Sequence, residues 1–198
     1  MNVYDFDKTI YPGDSATHFW WFLVRRHPAA LPMAAGAIPT GIRYLAEKTK
    51  DARRRGRLRG QLKEQLFAIL RRVPDPEGEI TAFWDSHIDR IYPWYIDRRR
   101  EDDVVISASP EFLIAEACRR LGIACLATPV ELTTGELRGP NCWGPEKPRR
   151  FREAYGDAVV EEFYSDSYSD RPMMELAREG FLTKKGHVVK RVSPQSVS

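Results

Sequence analysis

The chain has 198 residues, 42% hydrophobic and 30% charged, enough to bury a substantial apolar core without disulfide or metal staples. Its three cysteines, Cys118, Cys125 and Cys142, are odd in number and form no C-x-x-C pair, which argues against a disulfide framework and against a zinc site. The net charge of +3 is unevenly spread: between 25 and 72 thirteen basic residues face three acidic ones, a net of +10, so the remainder is acidic at about −7. Such a run is either a solvated helical face or a module that meets an anionic partner.

In chain order, a short apolar run leads into DFDKT, where Asp5 and Asp7 stand two positions apart. An Asp-rich segment after a strand is often a turn whose side chains bond their own backbone. The functional alternative is that Asp5 attacks an electrophile while Asp7 handles protons, or that both hold a hard cation. No basic n-region, apolar h-region or small-residue cleavage site precedes them, and with the unpaired thiols this leads us to expect a cytoplasmic protein.

After Asp14, SATHFWWFLVRRHP predicts a helix capped by Asp14 or Ser15 and stopped by Pro28. The stretch Ala29 to Ala46 is apolar but broken by Pro32, Gly36, Pro39 and Gly41. Its uncharged part, Pro28 to Ile42, falls short of the roughly 20 residues that span a bilayer. Helical spacing recurs over 58–72 and 78–92, ahead of Trp94 and Tyr95.

The pattern then changes. DVVISAS predicts a strand ending near Ser107, and PEFLIAEACRRLG a helix with Ser109 as N-cap, Pro110 at its first position and Gly122 at its end. IACLATPVE predicts a strand, ELTTGELRG a small hairpin around Gly135, and PRRFREAYG a helix opened by Pro148. AVVEEFYS predicts a strand, RPMMELAREG a helix closed by Gly180, and GHVVKRV a last strand before the polar SPQSVS. Strands alternating with helices predict an α/β fold with a parallel central sheet covered on both faces, into which the helical stretch 15–95 is inserted.

Four signals follow predicted strands, where open α/β sheets gather ligands: Asp5 with Asp7, Ser107 in VVISAS, Lys147 in GPEKP, and Asp166 with Asp170 in YSDSYSD. Each has a structural alternative: Ser107 closing a strand, Lys147 on the surface, Asp166 in a turn, Asp170 as an N-cap. Their chemistry agrees, with carboxylates suited to a hard cation and a hydroxyl and a lysine suited to an anion.

In this order DFDKT, ISASP, the Lys of GPEKP and DSYSD resemble the four motifs of the haloacid dehalogenase (HAD) superfamily, in its branch with a helical cap between motifs one and two. The resemblance implies a Rossmann-like core, 1–14 and 96–198, and a cap over 15–95. Phosphoserine phosphatases and a bacterial phosphatidylglycerophosphate phosphatase belong to that branch. Asp14 stands where phosphoserine phosphatases usually carry Glu, which favours the lipid monophosphate as substrate over a small soluble phosphomonoester such as phosphoserine.

Carried over residue by residue, the resemblance makes Asp5 the nucleophile of an aspartyl-phosphate mechanism and Asp7 the proton donor and later base. Mg²⁺ would be held by Asp5, the Asp7 carbonyl and Asp166, with Asp170 at the metal or orienting Lys147. Thr9, Ser107, Lys147 and Asp14 would serve the phosphate and substrate.

Two further expectations concern partners. ARRRGRLRG has no interleaved aromatics, so nucleic acid is not expected as a partner. Phe19, Trp20, Trp21 and Phe22, the Ala29 to Ala46 stretch and the run Arg53 to Arg59 together suggest peripheral contact with an anionic membrane. Burial of those aromatics inside the cap is the competing expectation. A catalytically silent module that uses the basic run for binding is the alternative of a different class.

Overall fold

A computed structural model describes residues 1–46 and 52–192, except the side chains of 52–56. The polar end SPQSVS and the side chains of Arg53 to Arg55 therefore lie outside the described residues.

Six strands form one sheet in the order β3-β2-β1-β4-β5-β6: β1 Val3–Tyr4, β2 Val104–Pro110, β3 Ala124–Thr128, β4 Glu162–Ser165, β5 Glu179–Lys184 and β6 His187–Val192. The first five are parallel, and β6 pairs antiparallel to β5 at the edge. Side chains alternate across the sheet, so each neighbouring pair in sequence feeds two cores. Tyr4, Val105 and Tyr164 enter one cluster, while Val3, Val104, Ile106 and Phe163 enter the other. Burial on both faces is why these strands read as unbroken apolar runs.

Helices α1 Ser15–Arg26, α2 Ala37–Ala46, α3 Ala52–Phe67, α4 Pro76–Asp85 and α5 Pro93–Ile96 all lie between β1 and β2. Asp14 caps α1, accepting from the Thr17 amide at 2.8 Å. Phe19, Leu23, Phe67, Phe83 and Trp84 of this inserted stretch share one core with Tyr4 and Phe6. The Trp84 indole also donates to the Leu113 carbonyl at 2.8 Å. The inserted helices are thus rooted in the sheet's own core.

Helix α6 Glu111–Leu121 crosses from β2 to β3, α7 Glu146–Tyr155 from β3 to β4, and α8 Arg171–Leu176 from β4 to β5. Several predicted boundaries are corrected. Strand β2 continues past Ser107 to Pro110, which pairs with Thr128 beyond a register shift. Pro110 is therefore the residue before α6 rather than its first position, and the Ser109 side chain caps nothing. Helix α7 starts at Glu146, two residues before Pro148, and so carries Lys147 in its first turn.

Helix α8 ends at Leu176, well short of Gly180, which lies in β5. A Cβ at Gly180 would come within 2.8 Å of the Met174 Cβ, so this glycine allows helix and strand to touch. Strand β5 had no counterpart in the predicted elements. The hairpin around Gly135 is present as a Val130–Leu137 bridge, and its turn abuts the end of α3. A Cβ on Gly135 would lie 2.3 Å from the Phe67 carbonyl oxygen.

Candidate active site

Chain order reverses at β1: β2 and β3 build outward on one side, β4 to β6 on the other. The crevice beyond the carboxyl ends of the strands at such a switch is where open α/β sheets bind ligands. A cavity of about 380 Å³ opens there. Asp5 follows β1, its amide donating to the Tyr164 carbonyl at 2.8 Å, so its side chain is fixed by one more step of β1–β4 pairing.

Lys147 connects the separate strand ends. Its ammonium donates to Asp5 Oδ1 at 2.7 Å and to Asp170 Oδ2 at 2.6 Å, and all three side chains are buried. Burial works against the Lys147 charge, yet the two carboxylates outweigh it and hold the lysine above its usual range. Asp170 also accepts from the Ser165 hydroxyl at 2.8 Å, while its Oδ1 is buried without a hydrogen-bond partner. Burial pushes Asp5 up to about 7, with Asp170 adding to the rise and Lys147 opposing it.

Asp7 is gripped at both oxygens. Oδ1 accepts from the Ser15 amide at the start of α1 at 2.7 Å, one of the helix's free N–H groups, and Oδ2 accepts from the Ser109 hydroxyl at 2.5 Å. Burial first, and the nearby Asp14 charge second, push Asp7 up to about 6 against those bonds. A carboxyl group held near neutral pH can both give and take a proton. In the sequence Ser109 reads as the cap of α6, which hides its contact with Asp7. The bulged end of β2 turns Ser107 and Ser109 to the cavity, with the Ser109 amide donating to Ser107 Oγ at 3.1 Å.

The remaining predicted residues divide. Asp14, Ser107 and Asp166 line the cavity, as do Asp5, Asp7, Lys147 and Asp170. Burial raises the Asp166 carboxyl. Thr9 does not line it. Its buried hydroxyl accepts from the Asp166 amide at 2.9 Å and donates towards Asp5 Oδ2 at 3.4 Å, tying two strand-end loops together.

No group of three or more His, Cys, Asp or Glu among the described residues forms a ready metal cage. Mg²⁺ asks for less, since it is held by one or two carboxylates with waters and substrate phosphate. On the strand-end side the Lys147 ammonium bonds only Asp5 and Asp170, the burial of Asp5, Asp7 and Asp166 raises each of them, and one Asp170 oxygen has no hydrogen-bond partner. A divalent cation fits that excess of negative charge.

The opposite wall comes from the inserted helices and was not foreseen. Lys63 of α3 crosses to the core, donating to the Ala108 carbonyl and, at 2.8 Å, to Asn141 Oδ1. Both acceptors are neutral. Burial, with Arg59 nearby, pulls Lys63 down to about 8. The Arg59 guanidinium lies 5.9 Å from the Trp143 ring centre, and Trp20 and Tyr44 complete this side. In the sequence Lys63 was one of thirteen cations with nothing to set it apart.

The fold is an open α/β sheet with flanking helices that gathers acidic side chains and a buried lysine at its switch point. The family model for haloacid dehalogenase-like hydrolases matches residues 3–175, and the chain belongs to that family. No curated protein sequence matches it. Solved structures share its fold. A protein of unknown function from Bordetella pertussis Tohama I is 20% identical with a TM-score of 0.73, over 92% of this chain and 88% of that one. A HAD family hydrolase from Salmonella enterica subsp. enterica serovar Typhi is 16% identical with a TM-score of 0.57, over 88% and 58%. A phosphoserine phosphohydrolase-like protein from Francisella tularensis subsp. tularensis SCHU S4 is 15% identical with a TM-score of 0.56, over 92% and 87%.

Proposed function

We propose that this HAD-family hydrolase is a Mg²⁺-dependent phosphomonoester phosphatase that works through an aspartyl-phosphate, with 15–95 as its cap and 1–14 and 96–198 as its catalytic core. The observation that carries the reading is the Asp5–Lys147–Asp170 chain beside a separately anchored Asp7. The two carboxylates differ in their partners: Asp5 is held by a lysine that also reaches Asp170, whereas Asp7 accepts only from an amide and a hydroxyl, and a nucleophile beside a proton carrier requires that division.

Lys147 occupies Asp5 Oδ1, so the less engaged Oδ2 attacks phosphorus while the bond from phosphorus to the leaving oxygen breaks. Asp7 gives its proton to that oxygen, then takes one from the water that attacks the aspartyl-phosphate. Inorganic phosphate leaves and Asp5 is restored. Ser107 binds a phosphoryl oxygen, and Lys147 offsets charge on the nucleophile and on the phosphate. Asp5, Asp166 and the Asp7 carbonyl would hold Mg²⁺, with Asp170 at its edge; when bound, the metal supplies positive charge against the phosphoryl oxygens.

A leaving alkoxide needs a proton and a leaving halide does not, so an anchored Asp7 supports phosphate ester hydrolysis over dehalogenation. The cavity of about 380 Å³ suits a phosphate with a small group attached, either the headgroup of a phospholipid monophosphate or a soluble ester such as phosphoserine. Release of phosphate from an aryl phosphate, with Mg²⁺ and with chelator, tests the reaction, and a panel of lipid and soluble monoesters tests the substrate. Asp5→Asn should lose at least about 10⁴-fold in turnover. Substantial metal-dependent turnover in that variant would overturn the mechanism.

A further inference from the structure

Helix α2 is built inside out. It buries the small residues Ala37 and Thr40 against its neighbours and turns Ile38, Ile42 and Leu45 outward, at 66%, 63% and 83% exposure. The spacing of four and three puts those three side chains on one stripe of the helix. Leu31 and Met33 on the preceding 3₁₀ segment Pro28–Ala34 are exposed as well. A contiguous apolar surface on one element marks an interaction site, because scattered exposed aliphatics would not align in this way.

Charge decides the occupant. Residues 15–46 contain no Asp or Glu. Arg25 and Arg43 are exposed and enter no ion pair among the described residues. Helix α3, packed along α2, adds exposed Arg57. A second copy of the chain meeting this face would set the same cations against one another, because an isologous contact pairs a patch with itself. An anionic bilayer instead accepts the aliphatic stripe at the level of the acyl chains and the arginines at the level of the headgroups.

We propose that the outward face of α2, Ile38, Ile42 and Leu45 with Leu31, Met33 and Arg43, seats this protein on the surface of a membrane rich in anionic lipid. The attachment is peripheral, since no helix among the described residues is long and apolar enough to cross a bilayer. It differs from the surface expected from the aromatics: Phe19 is fully buried, Trp20 bonds the Leu66 carbonyl at 2.9 Å, Phe22 packs on the core, and only Trp21 is half exposed. Helix α2 also lends Tyr44 to the cavity wall, so docking brings the site to within about one helix diameter, roughly 10 Å, of the lipid. Docking does not depend on the phosphatase reading. A preference for lipid monophosphates as substrates does rest on it.

The test is flotation of the full chain with phosphatidylcholine vesicles, with and without phosphatidylglycerol, over a range of salt. The protein should float with the anionic vesicles alone, and less as salt rises. Ile38→Ser/Ile42→Ser/Leu45→Ser should lower vesicle affinity by more than about tenfold. Arg43→Ala should lower it about fivefold, the factor that about 1 kcal/mol per surface cation represents. Melting curves and aryl phosphate turnover should match the parent. The proposal is overturned if the parent stays with the soluble fraction on anionic vesicles at low salt, or if the triple variant floats equally well. It is also overturned if the parent proves to be a dimer that the triple variant dissociates, with no vesicle binding by either.

Discussion

The two walls of the cavity are opposites in charge and in how they are held. The strand-end wall concentrates Asp5, Asp7, Asp166 and Asp170, and bonds of 2.5 to 2.8 Å to Lys147, Ser165, Ser109 and the Ser15 amide lock the side chains of all but Asp166. The inserted-helix wall presents Lys63 and Arg59, whose partners are a carbonyl, an amide oxygen and an indole ring. One wall carries an excess of negative charge that calls for a cation, the other a positive charge that calls for an anion. A phosphate ester with its metal fits between them, and each wall can be broken separately.

The largest effect should come from Lys147→Met. It leaves Asp5 and Asp170 buried side by side with no counter-charge, and removing one member of a buried ion pair costs about 3–5 kcal/mol. Urea unfolding should show a large fall in midpoint, with turnover lost as well. Next comes Asp7→Asn, which should keep the fold, because the amide oxygen can still accept from the Ser15 N–H while its NH2 donates to the Ser109 hydroxyl, which can accept as well as donate. It should lose about 10²–10⁴-fold in kcat, the usual worth of a positioned acid and base. A loss of less than tenfold would remove Asp7 from proton transfer.

The strand-end wall was legible in the sequence for a physical reason. Its residues sit next to strands that are buried on both faces, and the switch in strand order brings those ends together whatever the details of packing. Asp5, Lys147 and Asp170 could therefore be picked out by position together with the agreement of their chemistry and the resemblance to the four HAD motifs. Ser109 could not, because the bulge that turns it toward Asp7 depends on Pro110 pairing with Thr128, and the same residues fit a capped helix equally well. Lys63 was still less visible: what places it is the docking of α3 on the Gly135 turn and on Asn141, contacts between segments about 70 residues apart. Strand β5 was missed because EGFLTK, with Gly180 inside it, reads as the end of a helix followed by a loop.

Lys63→Met sharpens the comparison on the other side. If the inserted wall serves an anion, the variant should raise KM about tenfold with kcat little changed, as expected for loss of a charge-assisted bond. The pH dependence gives a second readout. Burial lowers Lys63 to about 8, so its charge is lost as pH rises through that value. In the parent kcat/KM should fall above about pH 6, as Asp7 loses the proton it must give, and more steeply above about pH 8, and Lys63→Met should lack only the second of these falls. An identical alkaline limb in both proteins would assign it to another group.

The smallest effect should be at the seam between the walls. Arg120 of α6 reaches the inserted α4, bonding Asp85 at 2.8 Å and the Thr81 carbonyl at 3.1 Å, and Glu116 holds it in place at 2.7 Å. The Arg119 side chain, mostly exposed, bonds the same carboxylate at 2.7 Å but is screened by solvent. Arg119 first, with Arg120 and against partial burial, lowers Glu116 from near 4.5 to about 2. A carboxylate with a depressed folded-state pKa contributes stability that is present above the unfolded value and lost as pH falls towards the folded one. Glu116→Gln should therefore cost about 1 kcal/mol at neutral pH, and the gap between parent and variant should narrow steadily between about pH 5 and pH 3 in urea titrations. A gap that stays constant over that range would mean Glu116 acts through its shape and its neutral hydrogen bonds, and the seam would then owe nothing to charge.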